Sequence, residues 1–329
     1  MANLPTRSHQ DYKVGWICAL STELTAAMAM LDEEHPRLSQ HAQDDNLYTL
    51  GRIGEHNVVI ACLPTGQMGN NSAATVAAQM RYSFGSIRFG LMVGIGGGVP
   101  SEEHDIRLGD VVVSKPGKQD GGVIQYDFGR TIAEGRFVRN GSLNAPPAVL
   151  LNAVNALQAR HNLHGHRLAQ YLSVMDTPRL KSKHTYQGAE NDVLFKAGYD
   201  HLGESITCDQ CDTSQVVSRA AREMTEPVIH YGTIASGNQV MRHGETRERW
   251  RRESDVLCFE METAGLMNNF PCLVIRGICD YADSHKNKRW QEYAAATAAA
   301  YVKELLYIIP GSQVMETRTA VEMAVQAGE

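Results

Sequence analysis

Short apolar runs alternate with helical segments along most of this chain, and glycine-rich or polar turns separate them. Apolar runs rich in β-branched residues are typical of strands buried on both faces. The strands predicted in this way cover residues 14–20, 57–63, 88–93, 110–114, 228–236 and 273–280. Helices are predicted over residues 21–31, from about 72, over 148–159 and over 290–309. Strands that alternate with helices predict one α/β domain whose sheet is mainly or partly parallel.

The two ends of the chain lack this pattern. Residues 1–10 are predicted to be a flexible, solvated tail, and the domain is predicted to extend over residues 11–310. Pro310 and Gly311 end the last helix of the pattern, since proline and glycine commonly follow helix C-termini. Residues 311–329 are therefore predicted to be a polar tail or linker.

Composition narrows the possible partners. The 329 residues are 43% hydrophobic and 21% charged, with a formal net charge of −6, which disfavours a nucleic-acid-binding surface. No apolar run reaches the roughly 18–20 residues that cross a membrane, and the first ten residues contain no apolar signal segment. Seven dispersed cysteines indicate reduced thiols. We therefore expect a cytoplasmic protein with neither nucleic-acid nor membrane partners.

One cysteine pair has a spacing that metal sites use. Cys208 and Cys211 form a single C-x-x-C with no second pair at zinc spacing, and no redox-type strand and helix flank it. The thirteen histidines contain no H-E-x-x-H motif. We interpret the cysteine pair as coincidental and expect neither a metal site nor an organic cofactor.

Charged residues collect at the exits of the predicted strands. Glu23 follows the first strand, Arg276 and Asp280 end the last, and Glu260 and Glu262 precede a predicted helix start. Open α/β sheets bind ligands at the carboxyl ends of their strands. Glu23 alone fits simple helix-dipole stabilisation. Together, however, these charges are hard to explain as scaffold and predict a site.

Two glycine segments have two possible interpretations. Gly96–Gly98 allows either a tight structural turn or a loop whose N–H groups approach a ligand. The residues that follow do not complete a dinucleotide fingerprint. The turn that contains Gly66 and Gly69 lacks the lysine of a phosphate-binding P-loop.

Six segments resemble those of a known family and occur in the family's order: 14–23, 94–98, 108–114, 233–238, 259–264 and 275–280. They resemble the nucleoside phosphorylase superfamily of the purine nucleoside and uridine phosphorylase type. Within it, the chain is most similar to methylthioadenosine/S-adenosylhomocysteine nucleosidases and to N-terminal nucleosidase modules of fungal NLR-like multidomain proteins. The resemblance implies a three-layer α/β/α fold around a mixed, partly barrel-like sheet, and a homo-oligomer. It also implies a possible role as an immune effector that cleaves adenine nucleotides.

The resemblance implies roles for individual residues. Asp280 would share a proton with purine N7, which requires partial desolvation of its carboxyl group. Glu262 would bind the ribose 2′- and 3′-hydroxyls, and Met261 would pack under the sugar. Glu23 would deprotonate the attacking water, with Arg276 holding it. The further substrate-binding candidates are Glu260, Gly66, Gly94, Gly96, Gly97, Asn238, Val240, Met241 and Trp290, the last as an aromatic residue closing over the site.

Hydrolysis and phosphorolysis are the main alternatives for such a site. Phosphorylases of this fold carry an arginine-bearing loop at the exit of the first strand, where this chain has Glu23. Repulsion between Glu23 and phosphate favours hydrolysis, although Ile95 replaces the small hydroxyl residue that nucleosidases place near the water. The predicted function is purine, most readily adenine, N-ribohydrolysis of adenosine, AMP or ATP. The alternatives are a phosphorylase and a non-catalytic purine-sensing module.

Overall fold

The computed structural model describes residues 7–201, 203 and 207–326, with side chains described up to residue 323. Within these ranges no helix has both the length and the apolar character to traverse a bilayer. Residues 1–6 of the predicted N-terminal tail and residues 327–329 of the predicted C-terminal tail lie outside the described residues.

Twelve strands and nine α-helices occur in the described part of the chain. The strands are β1 Val14–Cys18, β2 Glu33–His35, β3 Tyr48–Ile53, β4 His56–Cys62, β5 Phe89–Gly98, β6 Val111–Ser114, β7 Val123–Gln125, β8 Gly129–Thr131, β9 Phe137–Arg139, β10 Ile229–Ser236, β11 Val256–Glu260 and β12 Cys272–Asp280. The helices are α1 Ser21–Ala29, α2 Asn70–Ser83, α3 Ala148–His164, α4 Leu168–Leu172, α5 Lys181–His184, α6 Gly244–Ser254, α7 Gln291–Ile308, α8 Gly311–Glu316 and α9 Ala320–Gln326.

The central sheet is mixed and partly closed. Strand β1 pairs in parallel with β4 and β5, and β5 pairs in parallel with β12. Strand β12 runs antiparallel to β6, which is followed by the parallel pairs β6–β10 and β10–β11. Strand β11 then pairs antiparallel with β5, so that β5, β12, β6, β10 and β11 form a closed ring. The predicted barrel-like character of the sheet is confirmed.

Helices cover both faces of the sheet. The apolar side of α2 belongs to one buried cluster, whereas α1, α3 and α7 contribute to another on the opposite face. Helix α7 is alanine-rich and buried from Tyr293 to Leu306, because its small side chains let it lie close to the sheet. A Cβ at Gly277 of β12 would overlap the Ala294 carbonyl of α7. The predicted three-layer α/β/α arrangement is therefore present.

The glycine segment after residue 93 is not a turn. Strand β5 continues to Gly98, because β12 and β11 pair with Gly94–Gly98 along its length. Side chains from those neighbours fill the space above the glycines: a Cβ at Gly97 would lie 2.7 Å from Asp280 Oδ1. The glycines therefore let a strand backbone pass close to acidic side chains.

The chain beyond residue 310 contradicts the predicted polar tail in part. Helices α8 and α9 form there, and Val314 and Ala320 are buried against the domain at 2% and 1% exposure. The Ala320 N–H donates to the Ile87 carbonyl at 2.7 Å. Apolar residues within this mostly polar segment provide the packing energy. At the other end, the His9 ring lies 5.0 Å from the Phe84 ring, so residue 9 of the predicted tail also packs on the domain.

Candidate active site

A cavity of about 290 Å³ lies where the carboxyl ends of β1, β5 and β12 meet and where β11 crosses β5. Parallel strands place their carboxyl ends on one edge of a sheet, so residues distant in sequence converge there. The lining includes the three acids to which the family resemblance assigns roles, Glu23, Glu262 and Asp280. The other lining residues are Ala19, Leu20, Met68, Ile95, Gly96, Gly97, Gln239, Val240, Met241, Phe259, Glu260, Met261, Cys279, Ala282, Lys286, Lys288 and Gln291.

Glu23 lies in the first turn of α1, and backbone N–H groups from outside this helix hold its carboxylate. Its Oε2 accepts from the N–H groups of Ala19 and Leu20 at 2.7 and 3.0 Å, and its Oε1 accepts from Ile95 N–H at 2.8 Å. Leu20 occupies the N-cap position of this helix. Burial raises the pKa of Glu23, although the Arg276 charge and the three N–H donors oppose that rise. The carboxylate is thus oriented and more basic than an exposed one.

Glu260 and Arg276 form a buried pair behind the cavity. The Arg276 guanidinium donates to Glu260 Oε2, and the Thr263 hydroxyl donates to the same oxygen at 2.7 Å. The N–H groups of Glu262 and Thr263 donate to the Glu260 carboxylate at 3.1–3.2 Å. Because its oxygens are occupied by protein donors, Glu260 holds the 260–263 turn and the arginine in place. Its carboxylate is not directed to a ligand.

Arg276 interacts with the acids differently from the predicted arrangement. Its Nη2 lies 3.3 Å from Glu262 Oε2, and its Nη1 donates to the Ile95 carbonyl at 3.4 Å. It faces Glu23 across Gly94, where an added Cβ would overlap Glu23 Oε1 and lie 2.5 Å from Arg276 Nη1. The single positive charge of the buried Arg276 guanidinium therefore lies near three carboxyl groups, which can together carry more negative charge than it balances.

Glu262 shows the consequence of this imbalance. Burial raises its pKa to about 7, and the neighbouring Glu260 and Glu23 charges add to the rise while Arg276 opposes it. The side chain lines the cavity with 6% of its surface exposed. This carboxyl group therefore titrates near neutral pH.

Asp280 departs from its expected protonation. Burial alone would raise its pKa, but the Lys286 ammonium 2.7 Å from Oδ2 and the Ala282 N–H 2.9 Å from Oδ1 hold the pKa below its ordinary value. The sequence-based expectation that desolvation favours a protonated Asp280 is wrong in this respect, because a lysine six residues later compensates the charge. Asp280 is an ionised carboxylate paired with Lys286.

The remaining predicted substrate contacts divide into two groups. Met261, Gly96, Gly97, Val240 and Met241 line the cavity. Their positions follow from the ends of β5 and β11 and from the loop after β10.

Four predicted contacts are not among the residues that line the cavity, and one of them is Gly94, which lies between Glu23 and Arg276. Asn238 accepts from the Asn70 N–H at 3.0 Å at the start of α2, and Gly66 is exposed in the turn before that helix. Trp290 is fully buried, packs against Tyr186 and donates to the Asn191 carbonyl at 3.1 Å. It belongs to the core and does not close over the cavity, because the adjacent start of α7 carries it inward.

Sequence reasoning missed several lining residues. The pairing of Lys286 with Asp280 has no local signal in the sequence. Lys288 and Gln291 lie at the cavity without any motif of their own. Their short separation from Asp280 in sequence was the only available indication.

The fold and the cavity define the class of protein. The family model of the phosphorylase superfamily matches residues 13–307. The chain therefore belongs to that superfamily. A solved nucleosidase structure from Neisseria meningitidis, in complex with methylthio-immucillin-A, has the same fold, with a TM-score of 0.57, 17% identity, and coverage of 90% of this chain and 99% of that one.

Three proteins related in sequence indicate where in the superfamily this chain has its similarities. An NLR-like protein of Hyaloscypha variabilis is 48% identical over 326 residues, which is 99% of this chain but 32% of that protein. The chain thus spans about a third of that relative. The 5′-methylthioadenosine/S-adenosylhomocysteine nucleosidase of Mycobacterium bovis is 24% identical, over 90% of this chain and 96% of the enzyme. ATP nucleosidase Cap17 of Escherichia coli is 25% identical, over 88% and 50% respectively. These matches confirm the resemblance described from the sequence.

Proposed function

We propose that this chain is an N-ribohydrolase that cleaves the N-glycosidic bond of purine nucleosides or nucleotides and releases the free base. The observation that carries the proposal is the convergence of Glu23, Glu262 and Asp280 on one cavity. The similarity to two nucleosidases supports the same reaction class.

The acids have complementary chemical roles in this proposal. Glu23, oriented by three N–H donors, accepts a proton from water as the water oxygen attacks ribose C1′. The electrons of the C1′–N9 bond pass to the departing base. Glu262 binds the ribose hydroxyls, and its negative charge stabilises the positive charge that develops on the sugar. Met261 packs against the sugar from the cavity wall.

The base would bind at the Asp280–Lys286 pair. Purine N7 is an acceptor and the adenine 6-amino group is a donor, so an ammonium beside a carboxylate complements adenine. Lys286 donates a proton towards N7 as the base leaves, and Asp280 accepts from the amino group. In this assignment the proton for N7 comes from the Lys286 ammonium and not from a protonated Asp280.

Charge favours water over phosphate as the nucleophile. Glu23, Glu260 and Glu262 surround one arginine, so an incoming phosphate would meet an excess of negative charge. This supports hydrolysis and disfavours the phosphorylase alternative. A module that only senses purines would have no need of a water-orienting Glu23.

The 5′ group of the substrate is the finer part of the proposal. Lys288 is exposed at the cavity and offers a cation to a 5′ phosphate, which supports AMP and ATP as substrates beside adenosine. The similarity to an ATP nucleosidase and to a fungal NLR-like protein supports a role as a nucleotide-cleaving immune effector.

Met68 and Val240 are 50% and 42% exposed at the cavity, an apolar rim suited to a second copy of the chain in a homo-oligomer. Seven cysteines without disulfides suit the cytoplasm.

The test is incubation with adenosine, methylthioadenosine, AMP and ATP, with and without phosphate, followed by separation of free base. Hydrolysis predicts adenine and ribose or ribose phosphate without added phosphate. Glu23→Gln should lose about 10²–10⁴-fold in kcat while retaining substrate binding, and Glu245→Gln, an exposed acid of α6, serves as the matched control. A strict phosphate requirement would establish the phosphorylase alternative. Binding without turnover by the unaltered chain would indicate a sensor.

A further inference from the structure

The C-x-x-C of this chain acquires a histidine partner in the folded structure. Ligand atoms of His201, Cys208 and Cys211 all lie within 4.8 Å of one another, in the loop region between α5 and β10. Cys211 is buried, and the other two side chains are half-buried. The sequence predicts a coincidental cysteine pair, because no second pair lies at zinc spacing and no redox-type strand and helix flank it.

We propose that these three side chains bind one zinc ion. Two thiolates and one imidazole form a ligand set that zinc uses in proteins. Tetrahedral zinc with such bonds separates its ligand atoms by about 3.5–3.8 Å, so small side-chain rotations bring the three atoms to binding distance. Binding converts each thiol to a thiolate and releases its proton to solvent.

The orientation of His201 supports this assignment. Its Nε2 lies 3.0 Å from the Thr207 carbonyl oxygen, which can only accept a hydrogen bond. The proton is therefore on Nε2, and the lone pair of Nδ1 is available. Metal-binding histidines commonly donate their second ring nitrogen to a backbone carbonyl, which fixes the tautomer and the ring.

A further imidazole lies beside the cluster. The His285 ring centroid is 5.6 Å from that of His201, and among the described residues neither His285 ring nitrogen has a hydrogen-bond partner, although Nδ1 lies 3.6 Å from Asp283 Oδ1. Buried polar atoms without partners carry an energetic penalty. The fourth position of the zinc ion is thus open to this neighbour.

The proposed metal lies next to the cavity loop. The His201 N–H donates to Ser284 Oγ at 2.9 Å, and Cys208 Sγ lies 4.0 Å from the His285 carbonyl oxygen. Residues 281–286 connect Asp280 to Lys286, the pair that faces the cavity. A zinc ion would therefore stabilise the segment that carries Lys286 without contacting a substrate.

The direct test is metal analysis of the whole chain, purified with reductant and supplied with zinc. We expect about one zinc ion per chain for a single closed site. Cys208→Ser together with Cys211→Ser, and separately His201→Ala, should lose the metal. The matched controls Cys62→Ser and His164→Ala, which lie outside the cluster, should keep it. A zinc-free native chain, or a double variant that still holds zinc, would overturn the proposal.

A second measurement does not depend on the variants folding. Chelation of the native chain followed by cobalt addition should give thiolate-to-cobalt charge-transfer absorption, and hydrogen exchange in residues 281–286 should slow when metal is restored. Peptide mapping without reductant distinguishes the other use of such a pair: a disulfide between Cys208 and Cys211 in freshly purified protein would refute zinc binding. None of these readouts requires nucleosidase activity, so failure here leaves the proposed function intact.

Discussion

Replacement of Lys286 by methionine isolates the contribution of the ion pair at the cavity. Lys286→Met preserves much of the aliphatic length but removes the ammonium 2.7 Å from Asp280, whose side chain is 3% exposed. Breaking a buried ion pair from one side costs about 3–5 kcal/mol, and the 29% exposure of the Lys286 side chain reduces the expected loss to about 2–3 kcal/mol. The loss arises because the Asp280 charge remains buried without its partner.

The pH dependence of this loss has a defined sign. In the native chain the pKa of Asp280 is depressed, so its stabilising contribution is present above the unfolded pKa and disappears as pH falls through the folded pKa. Without Lys286, burial raises the pKa of Asp280, and the protonated carboxyl no longer carries an uncompensated charge. The stability difference between native and variant chains should therefore be largest at neutral pH and should shrink near the ordinary carboxyl pKa of about 4.

Urea unfolding at neutral and acidic pH measures this difference. Lys303→Met is the matched control, because Lys303 forms an ion pair with Asp32 at 2.7 Å and this pair lies outside the cavity. The control variant should lower stability without changing turnover. Lys286→Met should lower both, by about 10²-fold or more in kcat if the lysine assists base departure. Adding Asp280→Asn should recover stability but not activity. Equal midpoints at neutral pH, or a deficit that grows on acidification, would refute the reasoning.

Two further predictions concern the acids and the glycine strand. With a pKa of about 7 for Glu262, kcat/KM should fall as pH decreases through about 7, and Glu262→Gln should remove that limb while lowering the rate; an unchanged limb would assign it to another group. Because this pKa is raised, the stabilising effect of protonated Glu262 is complete below its unfolded value of 4.5 and is lost as pH rises through about 7, which pH-dependent unfolding of both chains measures. Gly94→Ala should reduce kcat by about 10²-fold or more through displacement of Glu23, whereas Gly85→Ala, whose added Cβ meets no atom nearer than 4.0 Å, should remain active. Near-native activity of Gly94→Ala, measured by base release, would contradict the close approach seen at this strand.

Much of the architecture was predictable from local pattern. Apolar runs in the sequence predict the buried strands. The strand exits at Glu23 and Asp280 were predicted to face one crevice, because parallel strands end on the same edge of a sheet. Prediction from the sequence failed where local pattern does not reveal the neighbours of a segment in the fold. Gly94–Gly98 resembles a turn until its strand neighbours are known, and Val314 lies in a segment too polar to predict packing.

The sequence by itself determined which acids this protein carries, and it determined the α/β layers that bring them to one edge. Only the tertiary structure decided which of those acids are engaged by protein partners: Glu260 by Arg276, and Asp280 by Lys286. It also decided that Trp290 belongs to the core and that His201 meets a cysteine pair. The physical reason is that protonation, orientation and ligand sets depend on distances of a few ångströms between side chains, and the way loops and strand crossings pack sets those distances.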